Sequence, residues 1–141
     1  MRTQDRRTWG LGAYRDQWDI PEEQVLGVLT GLLGEPLAED SLIATGGAWQ
    51  DGPLRRRDRS IAVIASMIAI GGVESRLASH LRWGLRNGLS PEEMEELIRM
   101  LASYVGYPRA TMAMELYRSL SVTDGPASAS SGPAHPGEEA R

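Results

Sequence analysis

The sequence predicts an all-α fold: a compact bundle of about six or seven helices built from residues 1–120. Apolar residues recur at helical spacing, no window alternates between polar and apolar residues as a strand does, and helix start and stop signals divide the chain. Residues 121–141 are rich in Pro, Ser, Ala and Gly, and Val122 is their only large aliphatic residue. We expect this tail to be disordered because it buries too little apolar surface to offset its ordering entropy.

The first half of the chain carries three clear helix patterns. Pro21 and the two glutamates after it open a helix that ends at Gly34, because Pro suits a first turn, acids suit the positive end of the helix dipole and Gly suits a stop. A shorter helix is expected over residues 37–48. Residues 61–70 are apolar on every side and are therefore expected to form the central helix of the bundle.

The second half continues in the same way. A helix is expected over residues 73–87, and Gly88 supplies the left-handed residue that stops it. The sequence Ser-Pro-Glu-Glu at 90–93 is typical of a capped helix start, with apolar residues at helical spacing after it. The Tyr-Pro pair at 107–108 ends that helix and precedes the last one.

The composition excludes several kinds of chemistry. The chain has no Cys, Lys or Phe, and its only histidines are His80 and His135, the latter in the tail. Thiolate nucleophiles, disulfides, Cys-ligated metals and lysine Schiff bases are thereby excluded. The remaining candidates are carboxylates, imidazole, Arg, Tyr and hydroxyl groups, and we predict neither a metal nor a cofactor.

Charge and hydropathy limit the expected partners and location. A formal charge of −4 argues against nucleic-acid binding. The basic cluster at 55–59 is more typical of a solvated helix start or a subunit contact than of a phosphate site. No apolar run reaches the roughly 20 residues of a membrane helix, and no signal-peptide pattern follows Met1. We therefore predict a cytoplasmic protein without a membrane contact.

His80 is the leading candidate for chemistry. It shares one helix face with Leu77, Leu81 and Gly84, which directs it toward the bundle interior. A hydrogen-bonded core imidazole is the ordinary explanation of such a pattern. Alternatively, the small Gly84 leaves room for a pocket in which an imidazole with a pKa of about 6.5 transfers protons.

Other candidates each have an ordinary structural explanation as well. Asp51 lies in a turn and is either an acid–base partner or an Asx-turn residue. Trp49 is either core or a substrate platform, and Arg59 is either an orienting charge or an ion-pair residue. Tyr104 and Tyr107 either offer phenols to a pocket or pack.

Three blocks of the sequence resemble the carboxymuconolactone decarboxylase family, whose wider superfamily includes the alkylhydroperoxidases. They are Trp49 with the segment 54–60, the histidine segment 80–93, and Tyr-Val-Gly-Tyr-Pro at 104–108. They are similar to the family's histidine helix, its NG-x-(S/T)-x-E-E turn and its Y-x-G-x-P stop. The resemblance implies an alkylhydroperoxidase-like helical protomer in a symmetric dimer, trimer or hexamer, and a cofactor-free lyase with its pocket at His80.

Two departures from the family pattern matter. The peroxidase branch has a CxxC pair near Val73 and Arg76, so the absence of Cys excludes thiol peroxidase chemistry. The decarboxylase branch reads Trp-x-Arg-Pro-Gly-Leu where this chain reads Trp-Gln-Asp-Gly-Pro-Leu from Trp49. Asp51 thus replaces an Arg that the resemblance implies for a substrate carboxylate, and an Asp there would repel an anion.

We therefore predict a cofactor-free small-molecule lyase in which His80 and Asp51 transfer protons. The predicted substrate-binding residues are Trp49, Arg59, Trp83, Tyr104 and Tyr107. Decarboxylation follows from the resemblance, and Asp51 favours dehydration or cyclisation of an aromatic or polyketide-like compound, as in specialised metabolism. The alternatives are a non-catalytic helical oligomer that binds an apolar ligand or partner and, less favoured, a regulatory protein that uses the basic cluster.

Overall fold

Seven α-helices make up the chain in the computed structural model, which describes residues 2–123, with side chains described through residue 120. They are α1 (Thr3–Trp18), α2 (Glu22–Leu33), α3 (Glu35–Trp49), α4 (Arg56–Ile70), α5 (Glu74–Arg86), α6 (Pro91–Val105) and α7 (Tyr107–Thr123). No strand occurs in this part of the chain, so the all-α prediction is confirmed. Helix α7 extends to Thr123, three residues into the segment that was predicted to be disordered, and the rest of that tail, His135 included, lies outside the described residues.

The ends of the helices follow local signals in the sequence. At the start of α6, the Ser90 hydroxyl accepts a hydrogen bond from the Glu93 backbone N–H at 3.1 Å, and the Glu93 carboxylate accepts one from the Ser90 N–H at 2.9 Å. Gly88, with φ 108°, follows α5, and Gly106, with φ 89°, separates α6 from α7. Helix α3 begins at Glu35, two residues before its predicted start, and α4 begins at Arg56, five residues before the apolar segment 61–70.

Helix α4 is not enclosed on all sides, so this part of the prediction was wrong. Ile64 and Ile68 are fully buried, whereas Ser66 is exposed and Ile70 is 67% exposed. The reason is that α4 packs against α5, α6 and α7 through one stripe only. Its opposite face meets solvent despite the apolar composition of residues 61–70.

Three apolar clusters form the interior. The largest lies among α4, α5, α6 and α7, and the second lies among α1, α2 and α3. The third consists of Ala13, Trp49 and Trp83, one residue each from α1, α3 and α5. This small cluster joins the two halves of the fold. No helix in the described ranges is long and apolar enough to cross a bilayer.

Helices α1 and α3 cross in direct backbone contact. A Cβ atom at Gly10 would lie 2.1 Å from a backbone oxygen of α3, and one at Gly46 would lie 1.7 Å from a backbone oxygen of α1. The crossing therefore requires glycine at both positions. A bidentate ion pair between Arg7 and Glu39, with both N–O distances 2.8 Å, lies at the edge of this crossing.

Replacing Gly46 by Ala should destabilise the protein. The added methyl group overlaps the α1 backbone, so we expect a loss of about 1–3 kcal/mol in the free energy of unfolding, as for overpacked cores. This loss should outweigh the helix-propensity advantage of Ala, which is about 1 kcal/mol. Urea unfolding measures the change.

Gly31→Ala in α2 is the matched control. A Cβ at this exposed helix position meets nothing within 4 Å, so this variant should be as stable as the parent or up to about 1 kcal/mol more stable. Equal stabilisation by the two substitutions would show that the crossing does not require Gly46.

Candidate functional site

A cavity of about 710 Å³ lies where α1, α2 and α3 meet α4 and α5. This volume falls within the range of roughly 300–1,000 Å³ that is usual for small-molecule sites. Its larger apolar lining residues are Trp18, Leu29, Leu32, Leu33, Trp49, Val63 and Met67. Its polar lining residues are Tyr14, Gln17, Ser41, Thr45, Ser75, Arg76, Ser79 and His80.

His80 projects from α5 beside a pair of indole rings. Its ring centroid lies 6.4 Å from that of Trp49, with 23° between the planes, and 5.8 Å from that of Trp83. The two indoles pack on each other at 4.0 Å. Burial in these surroundings lowers the pKa of His80 from 6.5 to about 4, because a charged imidazolium would lose its hydration there. The ring is therefore neutral at pH 7.

Gln17 of α1 orients this imidazole. Its side-chain Nε2 lies 3.3 Å from His80 Nε2 and 3.0 Å from Ser79 Oγ, and donates to both. In this arrangement His80 Nε2 is the acceptor, so the proton of the neutral ring resides on Nδ1. His80 Nδ1 bonds to no side chain or backbone group in residues 2–120 and is not sealed from solvent. Because His80 lines the cavity, this neutral N–H is the donor that the ring could offer to a ligand there.

A second polar group, here called the hydroxyl cluster, consists of Tyr14, Ser41 and Thr45. The Thr45 hydroxyl donates to the Tyr14 phenol oxygen at 3.3 Å, and the Tyr14 and Ser41 hydroxyls share a short hydrogen bond. The Tyr14 ring packs on Trp18, with 4.7 Å between ring centroids. All three hydroxyl side chains line the cavity.

The charge of the cavity lining comes from Arg76. Its side chain is exposed, lines the cavity and forms no ion pair with a described carboxylate. No Asp or Glu of the described chain is among the lining residues. Within the same part of the chain, no group of His, Asp and Glu side chains is arranged to hold a metal ion. The cavity therefore suits a neutral or anionic ligand better than a cation.

The structure brings together three of the predicted site residues. His80 and Trp49 line the cavity, and Trp83 is buried directly behind them in contact with both rings. Trp49 and Trp83 are 5% and 1% exposed, so they also belong to the core. The two explanations considered for Trp49, core residue and platform, are thus compatible.

The remaining predicted site residues lie elsewhere. Asp51 is exposed in the turn after α3 and does not line the cavity. Arg59 donates to the backbone oxygens of Leu54, at 2.9 Å, and Ala48, and so braces that turn. This bonding corresponds to a structural role for Arg59. The pairing of Asp51 with His80 stays a prediction that no contact supports.

Tyr104 and Tyr107 are 81% and 74% exposed at the junction of α6 and α7, and neither lines the cavity. Burial on α6 runs through Ile98 to Leu101, and Tyr104 lies one turn beyond. The two phenols thus neither reach the cavity nor pack into the core. Their assignment to substrate binding has no support from the geometry.

Sequence reasoning missed the contribution of α1. Tyr14, Gln17 and Trp18 stand at spacings of three and four residues, so they share one face of a helix. That pattern could have indicated a contact surface, but nothing local indicated its partner. The sequence pattern marked Arg76 only as a position near the missing Cys pair, whereas in the structure its charged side chain lines the cavity.

Comparison with known proteins gives two matches. A family model described as the carboxymuconolactone decarboxylase family matches residues 37–118. A 4-carboxymuconolactone decarboxylase of Acinetobacter baylyi is 37% identical over 76 residues, which make up 54% of this chain and 56% of that protein. The chain therefore spans about half the length of this curated relative. The family match begins after α1 and α2, so it includes His80 but not Gln17.

Burial of His80 should make stability depend on pH. An unfolded chain binds the proton with a pKa near 6.5, whereas folded His80 binds it near 4, so acid favours the unfolded state. The free energy of unfolding should be highest above pH 6.5 and should decrease as the pH falls toward 4. Between pH 7.5 and 5 we expect a loss of about 2 kcal/mol in urea unfolding. A His80→Gln variant with the same slope as the parent would contradict this assignment.

The contact with Gln17 should be visible as a tautomer preference. At pH 7, ¹⁵N spectra of histidine-labelled protein should show Nδ1 of His80 protonated and Nε2 unprotonated. Gln17→Ala should remove this preference, whereas the exposed Gln24→Ala should leave it unchanged. Protonated Nε2 in the parent protein would show that the amide accepts from the ring instead of donating to it.

Proposed function

The chain belongs to the carboxymuconolactone decarboxylase family, and we propose that it is a lyase that removes carbon dioxide from a small ring-containing acid. The observation that carries this proposal is the 710 Å³ cavity, whose lining combines the His80 imidazole with the Arg76 guanidinium. The family match and the partial similarity to a decarboxylase support the reaction class.

Each of the two groups has a distinct role in the proposed reaction. Arg76, where the cavity meets solvent, attracts and orients the substrate carboxylate. When carbon dioxide leaves, the bond between the carboxylate carbon and the ring breaks. The electron pair passes into a conjugated carbonyl group as an enolate, and a proton from water ends on the ring carbon. His80 donates a hydrogen bond from Nδ1 to the oxygen on which charge develops.

A neutral imidazole is suited to this role. Because burial keeps the His80 pKa near 4, the ring stays neutral at pH 7, and its Nδ1–H polarises an oxygen without surrendering the proton. The conjugated carbonyl of the substrate serves as the electron sink, so we propose a reaction without a cofactor. Thiol peroxidase chemistry is excluded by the absence of Cys.

Decarboxylation is favoured over dehydration or cyclisation. The argument for the latter reactions depended on Asp51 as a second proton carrier, and Asp51 lies outside the cavity lining. An aromatic or polyketide-like acid remains a suitable substrate because the walls include the indole rings of Trp18 and Trp49.

We also propose that the protein works as a symmetric homo-oligomer. Val28, Leu32 and Leu37 on α2 and α3 are 41%, 61% and 56% exposed, and clustered exposed apolar residues commonly mark interfaces. Leu32 also lines the cavity, so a second copy on this surface would cover part of the cavity wall.

The activity test is a panel of lactone acids and aromatic β-keto acids, with detection of released carbon dioxide by mass spectrometry. For any acid that is turned over, His80→Ala should lower kcat by about 10²-fold or more, because a donor to the developing charge is lost. Arg76→Gln should chiefly raise KM.

Asp51→Asn is the matched control, since Asp51 is exposed outside the cavity. It should leave kcat unchanged. A decrease as large as that of His80→Ala would restore the acid–base pair and with it dehydration or cyclisation. Tight binding of these acids without any release of carbon dioxide would favour the non-catalytic alternative, for which the lack of a lining carboxylate is the supporting observation.

A further inference from the structure

We propose that the hydroxyl cluster of Tyr14, Ser41 and Thr45 is a subsite that binds the carbonyl oxygen of a ring ketone. The inference rests on the proposed function in so far as this ketone is the electron sink of the decarboxylated substrate. Tyr14 lies in α1, outside the matched range 37–118, so the family similarity does not assign this subsite.

The proposal rests on the number of hydroxyl protons in the hydroxyl cluster. The three hydroxyl groups bring three protons. The Thr45 proton is donated to the Tyr14 oxygen, and a second proton lies in the hydrogen bond between Tyr14 and Ser41. None of the three oxygens forms a further hydrogen bond within residues 2–120. One proton is therefore left without an acceptor in this part of the chain.

The unused proton faces the cavity whichever way the shared bond runs. If Tyr14 donates to Ser41, the Ser41 hydroxyl is the free donor, and if Ser41 donates to Tyr14, the phenol is the free donor. Both side chains line the cavity. The oxygen that holds the free proton also accepts a hydrogen bond, which strengthens it as a donor.

The surroundings define the class of acceptor. Tyr14 and Trp18 pack against the apolar cluster that includes Leu29 and Leu42, so the cluster of hydroxyls is set in an apolar wall. A sugar-like ligand would place several hydroxyls against this wall without partners, at a cost for each one. A flat or ring-shaped hydrocarbon with a single carbonyl oxygen satisfies the one free donor and leaves no polar group unpaired.

The experiment compares 1-tetralone with tetralin, the same two-ring skeleton without the carbonyl oxygen. NMR titration of the Trp indole resonances gives both Kd values. The parent protein should bind tetralone about three- to tenfold more tightly than tetralin, the usual effect of one neutral hydrogen bond. The triple variant Tyr14→Phe/Ser41→Ala/Thr45→Val removes all three hydroxyls, including the Thr45 proton that is freed when Tyr14 is lost, so the two Kd values should become equal while that of tetralin stays unchanged.

Two control variants make the test specific. Thr45→Val leaves two hydroxyls that share one hydrogen bond, so one proton is still free and the preference for tetralone should persist. Ser66→Ala removes an exposed hydroxyl that bonds to the Ala62 backbone oxygen and should have no effect. If the triple variant fails to fold, NOE contacts between bound tetralone and the Tyr14 ring protons of the parent test the placement instead, and their absence would overturn the proposal.

The proposal is overturned if the parent shows no preference for tetralone, if neither compound binds, or if the variants that remove the donors keep the preference. Tetralone has no carboxylate and cannot be decarboxylated, so its binding is independent of turnover. A confirmed subsite in a protein that releases carbon dioxide from no acid would overturn the proposed reaction alone.

Discussion

The site depends on the contact between the backbones of α1 and α3. Because Gly10 and Gly46 have no side chains, the two helices approach until a backbone oxygen of each lies where the other's Cβ would be. The second half of α1 then lies over the cavity with Tyr14 and Gln17 directed at its lining. Any wider crossing would move both side chains away from their partners on α3 and α5.

The C-terminal end of α1 is held by arginine side chains of α4 and α5. Arg86 of α5 donates to the backbone oxygens of Asp16 and Gln17 at 2.9 and 2.7 Å, and Arg56 of α4 pairs with the Asp16 carboxylate at 2.8 Å. The last carbonyls of a helix lack partners within the helix, so a guanidinium is well suited there. These bonds flank Gln17 and limit how far its amide can move from His80. They also give Arg56, one of the basic residues at 55–59, an ion pair within the fold.

Local signals in the sequence were sufficient for the helices but not for the site. The capping box at Ser90 and the stop at Gly88 are properties of a few adjacent residues, and the structure has them as predicted. Helix α6 ends at Gly106, and the Tyr-Pro pair that was expected to end it begins α7 instead. Adjacent residues could not predict which side of α4 faces solvent. The buried side is determined by the positions of α5, α6 and α7, which pack against it. Equally, Gln17 meets His80 across 63 residues of sequence, so no local pattern could pair them.

The two polar groups of the cavity together suggest how a carbonyl compound would be held. His80 offers a neutral N–H, the hydroxyl cluster offers one O–H, and neither carries a charge that a ligand must neutralise. Because no carboxylate of residues 2–120 is among the lining residues, the enolate of the proposed reaction would meet donors and the Arg76 charge without a negative group from that part of the chain beside it. The resemblance places a Cys of the peroxidase branch near position 76, where this chain has the guanidinium of Arg76. The position at which the peroxidase branch carries a thiol is thus the one at which the proposed reaction places the charge that orients the substrate carboxylate.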